Sequence, residues 1–163
     1  MVDAFHIFAL LVVSVAMALS LAHALELPGK LRLPKDSYFE VQKIYYPGFT
    51  FGGLVGEAGG LACLLVLLLM TSTSDPAFPW IVASFVLLLA VQAVYWLITH
   101  PVNSAWLKGT DLARPAGAFF SLLAPASENR DWTSLRDTWE HSHVARAVLS
   151  MLSLASLAIA LAR

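Results

Sequence analysis

The sequence predicts an all-α protein, a four-helix transmembrane bundle with two long loops on one side. Two observations carry that prediction. Charge is scarce: only 13% of the 163 residues are Asp, Glu, Lys or Arg, about half the share of an ordinary soluble domain. The apolar residues, 58% of the chain, gather into four runs, each near the roughly 20 residues a helix needs to cross a bilayer. The natural solvent of such a chain is lipid, and its 163 residues form one domain, 1–163.

The first run covers residues 5–25. "LAHA" offers a signal-peptidase-like A-x-A pattern. The start "MVDAF", however, carries Asp3 and no Lys or Arg, and the apolar stretch is longer than an h-region. It reads as a membrane helix. Pro28-Gly29 then reads as a turn, and residues 37–46 as a short interfacial helix with Tyr38, Tyr45 and Tyr46 at headgroup level.

The second run covers residues 49–71, after the breaker Pro47-Gly48. Gly52, Gly56 and Gly60 recur at four-residue spacing, which lets helix backbones approach closely, within the bundle or between copies of the chain. Residues 72–77, with Asp75-Pro76, make a tight turn into the third run, 78–99. A second long loop contains "LARPAGAFFSLLAPAS", residues 112–127, too broken to span and fit for an interfacial or re-entrant position. Asp131 is placed to N-cap a helix that runs through "WTSLRDTWEHSH" into the fourth span, 143–162.

Basic residues orient the bundle. Lys30, Arg32, Lys35 and Lys43 fall in the first long loop; Lys108, Arg114, Arg130 and Arg136, with Arg146 just beyond, fall in the second. Nine of ten basic residues thus lie on one side, predicted cytoplasmic, and both termini are predicted outside. Net charge is −1 and no basic stripe occurs, which excludes a nucleic-acid partner. Cys63 stands alone, which excludes an internal disulfide and a cysteine zinc cluster.

The polar residues converge on that inner side. His23, His100, His141 and His143 all lie there; only His6 lies at the other face. Glu26 follows His23 by three residues and Glu140 precedes His143 by three, so each pair shares a helical face. Glu57 lies inside the second span, where an ionisable group is costly and is a functional candidate by default. Gln92 and Tyr95 lie at similar depth. Glu-x-x-His is the spacing of di-iron carboxylate bundles. The candidate ligands are therefore His23, Glu26, His100, Glu140 and His143, with Glu57, for iron, copper or zinc; a site with no metal is the alternative. Plainer readings stand beside this one. Interfacial histidines can snorkel, Glu57 can pair with Arg146, Arg136 with Glu140, and Trp106, Trp132 and Trp139 can form an aromatic belt.

The segments "AHALELPGKLRLP", "YFEVQKIYYPGFTFGG", "HPVNSAW" and "WTSLRDTWEHSHVARAVLSML" carry a resemblance. The chain resembles a family of small four-helix membrane proteins of largely unknown function, grouped with the fungal anthrone oxygenases. The matching patterns are His-x-x-x-Leu-Pro at His23 to Pro28, Pro-x-Asn at Pro101 to Asn103, and Trp-x-x-x-Arg-x-x-Trp-Glu-x-x-His at Trp132 to His143. The resemblance implies the four-helix architecture and oxygen chemistry on an activated aromatic carbon.

Two function classes follow. The first is an integral membrane oxidoreductase, oxygenase-like, acting on a lipophilic or aromatic small molecule from the bilayer. Glu57 or His143 would be the base, Glu140 would orient His143, and Arg136 and Arg146 would stabilise an oxyanion. Tyr46, Gln92, Tyr95, Trp96, Asn103 and Trp139 would hold the substrate. The second is a non-catalytic accessory subunit or a haem- or quinone-binding module, with a homo-oligomer or membrane-complex partner. An ion carrier ranks last, because no polar path crosses the apolar outer half.

Overall fold

The computed structural model describes residues 2–45, 48–107 and 131–163. Tyr46, Pro47, the segment 112–127 and the basic residues Lys108, Arg114 and Arg130 lie outside them. Helix α1 spans Val2–Lys30, α2 Lys35–Ile44, α3 Gly48–Met70, α4 Phe78–Leu107 and α5 Trp132–Leu161. No strand occurs among the described residues. All but α2 are long and apolar enough to cross a membrane. Helix α5 is the central element, packed along both α1 and α4, with α3 against α1 and α4. Val13, Ala16, Leu64, Leu67, Ile81, Leu88, Val91 and Leu157 fill the interior. Outside, Ile7, Phe8, Leu11, Leu69 and Val86 are exposed, as a bilayer solvent requires.

The structure corrects two boundaries. Helix α1 does not turn at Pro28-Gly29; it continues to Lys30, and the chain turns at residues 31–34. A proline late in a helix loses one hydrogen bond and crowds the preceding turn. Continuing nonetheless keeps Lys30 in helical phase with His23 and Glu26, on one buried face. Helix α4 likewise passes Thr99 and runs through Pro101. The turn before it, Tyr95–Thr99, is π-helical. The Pro101 ring crowds the carbonyl of Leu97, which lies in that widened turn, where bonds reach five residues on.

The start of α5 agrees with the sequence: Asp131 holds the N-cap position. Its carboxylate accepts from the Thr133 hydroxyl.

Gly52, Gly56 and Gly60 of α3 are covered within the chain. A Cβ on Gly56 would stand 2.5 Å from the backbone nitrogen of Ala16, and one on Gly60 would stand 2.9 Å from Leu88. Gly56→Ala is therefore expected to force α1 and α3 apart and destabilise by about 1–3 kcal/mol. Gly53→Ala, where an added Cβ meets nothing within 4 Å, is the control. Thermal melting in detergent distinguishes them: equal melting temperatures would mean α1 and α3 are not in this register.

Candidate functional site

The C-terminal ends of α1 and α4 meet the N-terminal ends of α3 and α5 at the bundle end opposite the 72–77 turn. A cavity of about 540 Å³ opens there, within the usual size of a small-molecule site. Phe49, Leu54, Tyr95, Trp96 and Trp139 supply its mostly apolar wall; Ser20, His23, Glu57, Gln92, His143 and Arg146 supply the polar end.

Glu57 sits in a π-helical turn of α3, Leu54–Ala58, a form common at functional sites. It is buried and ion-paired with Arg146 of α5, as the sequence allowed. Its other oxygen accepts from Gln92 Nε2 at 2.6 Å. The second Arg146 amino group lies 3.2 Å from His143 Nε2. His143 Nδ1 lies 2.9 Å from the carbonyl of Trp139, which can only accept, so Nδ1 carries the proton and Nε2 the lone pair. One guanidinium thus bridges a carboxylate and a neutral imidazole. The His143 ring stacks on Trp139, centroids 3.9 Å apart, and Trp139 Nε1 donates to Asn103 Oδ1 at 2.7 Å.

A second polar group lies beside the cavity, and its centre is Lys30. The side chain is only 4% exposed. Its ammonium stands 2.9 Å from Glu26 and 3.7 Å from Glu140, and it approaches His23 Nδ1 at 3.5 Å. It also lies over the rings of Tyr45 and Trp139. Tyr38 donates to Glu140 Oε1 at 2.8 Å, and Tyr45 donates to Glu26.

This arrangement bears on the metal reading, to which it lends no support. Among the described residues no three His, Cys, Asp or Glu side chains converge as a metal would require. The reason is Lys30: its ammonium occupies the space between His23, Glu26 and Glu140 where a cation would have to sit. His100 is buried apart from that group, its Nδ1 3.4 Å from the Tyr95 hydroxyl. A haem clamped between His23 and His143 does not fit either, since the two rings touch edge to face with centroids 4.3 Å apart.

Most residues expected to hold substrate do line the cavity: Gln92, Tyr95, Trp96, Asn103 and Trp139, together with Glu57, His143 and Arg146. Two expected roles change. Glu140 does not orient His143; it is fully buried against Tyr38 and Lys30, while the Trp139 carbonyl holds the imidazole. Arg136 pairs with neighbouring Asp137 at 2.8 Å, stacks on Trp132 and lies outside the cavity wall. His141 faces outward, bonded to the Asp137 carbonyl.

Sequence reasoning missed Lys30 and the bonds of Tyr38 and Tyr45, which are buried partners of carboxylates. The signals were present. His23, Glu26 and Lys30 share one face once the helix is allowed past Pro28, and Tyr38, Gln42 and Tyr45 recur at i, i+4, i+7.

Burial, and then the charge of Glu140, push the phenol pKa of Tyr38 far above its ordinary value; burial and the bond to Glu26 do the same for Tyr45. The sign follows. Above about pH 10 the unfolded chain releases the tyrosine proton and the folded chain keeps it, so stability falls as pH rises, by about 1.4 kcal/mol per unit for each such group. The melting temperature is expected to drop in this range, and Tyr38→Phe is expected to flatten the drop. A Tyr38→Phe profile parallel to the wild type would show that Tyr38 ionises freely.

No family model matches the chain, and neither a curated protein nor a solved structure is significantly similar to it.

Proposed function

We propose that this protein is an integral membrane oxidoreductase of oxygenase type, acting on a lipophilic or aromatic small molecule at the cytoplasmic-side end of the bundle. One observation carries the reading. An aromatic-walled cavity ends on a neutral imidazole and a buried guanidinium, His143 and Arg146, side by side. An apolar body suits the wall, and a group that loses a proton suits the end.

His143 Nε2 is the base: the Trp139 carbonyl fixes the tautomer that leaves it without a proton, and its lone pair, which faces an Arg146 amino group at 3.2 Å in the resting site, turns to the substrate when that guanidinium takes the oxyanion. Glu57 is the counter-ion, because Arg146 and Gln92 already engage its two oxygens. Arg146 holds the oxyanion left on the substrate, in a site where low dielectric strengthens the interaction. The deprotonated substrate is then electron-rich and forms a carbon–oxygen bond with dioxygen; the resulting hydroperoxide loses water, so one oxygen atom stays on the oxidised carbon and the other leaves as water.

The test is oxygen uptake by protein in lipid vesicles supplied with a panel of apolar phenols and activated aromatic methylenes. His143→Asn keeps a polar ring-sized group but no base, and is expected to lower kcat by about 100-fold or more. Uptake unchanged in His143→Asn would remove His143 as the base, and no uptake with any substrate would favour a binding or accessory role.

A further inference from the structure

Helices α3 and α4 pack closely near their connecting turn, along Gly59–Met70 and Phe78–Val94, and separate toward the other end. Each has its π-helical turn where they part, Leu54–Ala58 in α3 and Tyr95–Thr99 in α4. The cavity occupies the resulting slot. Its rim is apolar and belongs to membrane-spanning segments: Phe51 is 66% and Leu54 64% exposed, and Ala58 is exposed as well. An opening so placed faces hydrocarbon rather than water. The Gln92–Glu57 hydrogen bond is the one direct polar link described between the two helices at this level.

The inner end of the cavity adds a second observation. Two buried polar atoms of its lining residues have no hydrogen-bond partner, the Ser20 hydroxyl and Arg146 Nε. Arg146 Nε–H can only donate, and the Ser20 hydroxyl is able to. Leaving such groups unpaired in a membrane interior costs more than pairing them with a ligand. A ligand whose polar end accepts hydrogen bonds satisfies both.

We propose that the cavity is loaded sideways from the bilayer, through the slot between α3 and α4, by a single-chain amphiphile. Its accepting oxygen head, a carboxylate or carbonyl, sits at Ser20 and Arg146, and its apolar chain lies in the slot toward the lipid. The proposal rests on the functional reading above only in using the same cavity; it requires binding, not turnover.

The experiment uses the full chain in phosphatidylcholine vesicles and bromine-labelled long-chain fatty acid as the probe. Bromine quenches tryptophan only at contact. Trp139 is a buried reporter, 4% exposed, on the cavity wall. The saturable part of the quenching is expected in the wild type, reduced in Trp139→Phe and absent only when Trp96, the other tryptophan of the wall, is replaced as well. Ala58→Phe, which plugs an exposed position on the rim, is expected to abolish it while α3 stays folded by circular dichroism. Ser20→Ala is expected to weaken the apparent affinity about fivefold, the cost of one hydrogen bond. A brominated long-chain ketone run in parallel separates a charged from a neutral accepting head. Trp139 quenching that is unsaturable, or that survives Ala58→Phe, overturns the proposal. So does quenching of Trp139 by aqueous acrylamide in preference to the fatty acid, because the cavity would then open to water. If the probe binds as stated and no substrate is turned over, the oxidoreductase reading fails and the portal stands.

Discussion

Lys30→Met is expected to destabilise the fold more than any other single change at the site, by about 3–5 kcal/mol. Glu140 is fully buried, and the nearest cation among the described residues is the Lys30 ammonium at 3.7 Å. Removing the ammonium strands a carboxylate in the protein interior, with only the Tyr38 hydroxyl donating to it and its second oxygen unpartnered. Glu26 suffers less, since its side chain is 41% exposed and can be hydrated. The cost should therefore be recovered by neutralising Glu140 and not Glu26. Thermal unfolding followed by circular dichroism in detergent decides it: Lys30→Met/Glu140→Gln should melt near the wild type, and Lys30→Met/Glu26→Gln should not. Equal rescue by both would mean that Lys30 answers the summed charge of the cluster rather than the burial of Glu140.

That cluster also marks the limit of what the sequence makes legible. The four spans are visible because hydropathy reports directly on the solvent a helix face meets. The convergence of His23, Glu57, Gln92, Trp139, His143 and Arg146 is visible because topology alone puts them at one end. Direction of a side chain is not visible in this way. Glu140 and His143 share a helical face, yet one reaches α2 and the other the cavity, and only the position of Tyr38 decides that. The metal reading meets the same limit. His-x-x-Glu and Glu-x-x-His spacings supply ligands, but the site is neutralised by a lysine beyond a proline that sequence rules place outside the helix. Tertiary pairing of Lys30 overrode a local helix-stop signal, and the two π-helical turns, which leave no signature in hydropathy, set where α3 and α4 part.

The division of labour among Arg146, Glu57 and His143 makes the second large prediction. If Arg146 holds the substrate oxyanion, Arg146→Met should lower kcat by about 100- to 1,000-fold with little change in KM, because the lost interaction forms as charge develops. Glu57 acts through Arg146: its carboxylate is a positioning and neutralising group, engaged at both oxygens before any substrate arrives. Glu57→Gln keeps the shape and weakens the hold, so a smaller loss of about tenfold is expected from one misplaced charge-assisted bond. The two losses should not multiply. Groups that work as a unit are non-additive, so Glu57→Gln/Arg146→Met should be no slower than Arg146→Met alone. Multiplying losses would instead put Glu57 on the substrate itself, as a second base. The pH profile separates the same alternatives. With His143 as sole base, Glu57→Gln should keep the wild-type acid limb of kcat/KM at reduced height. With Glu57 as base, that limb should vanish in the variant.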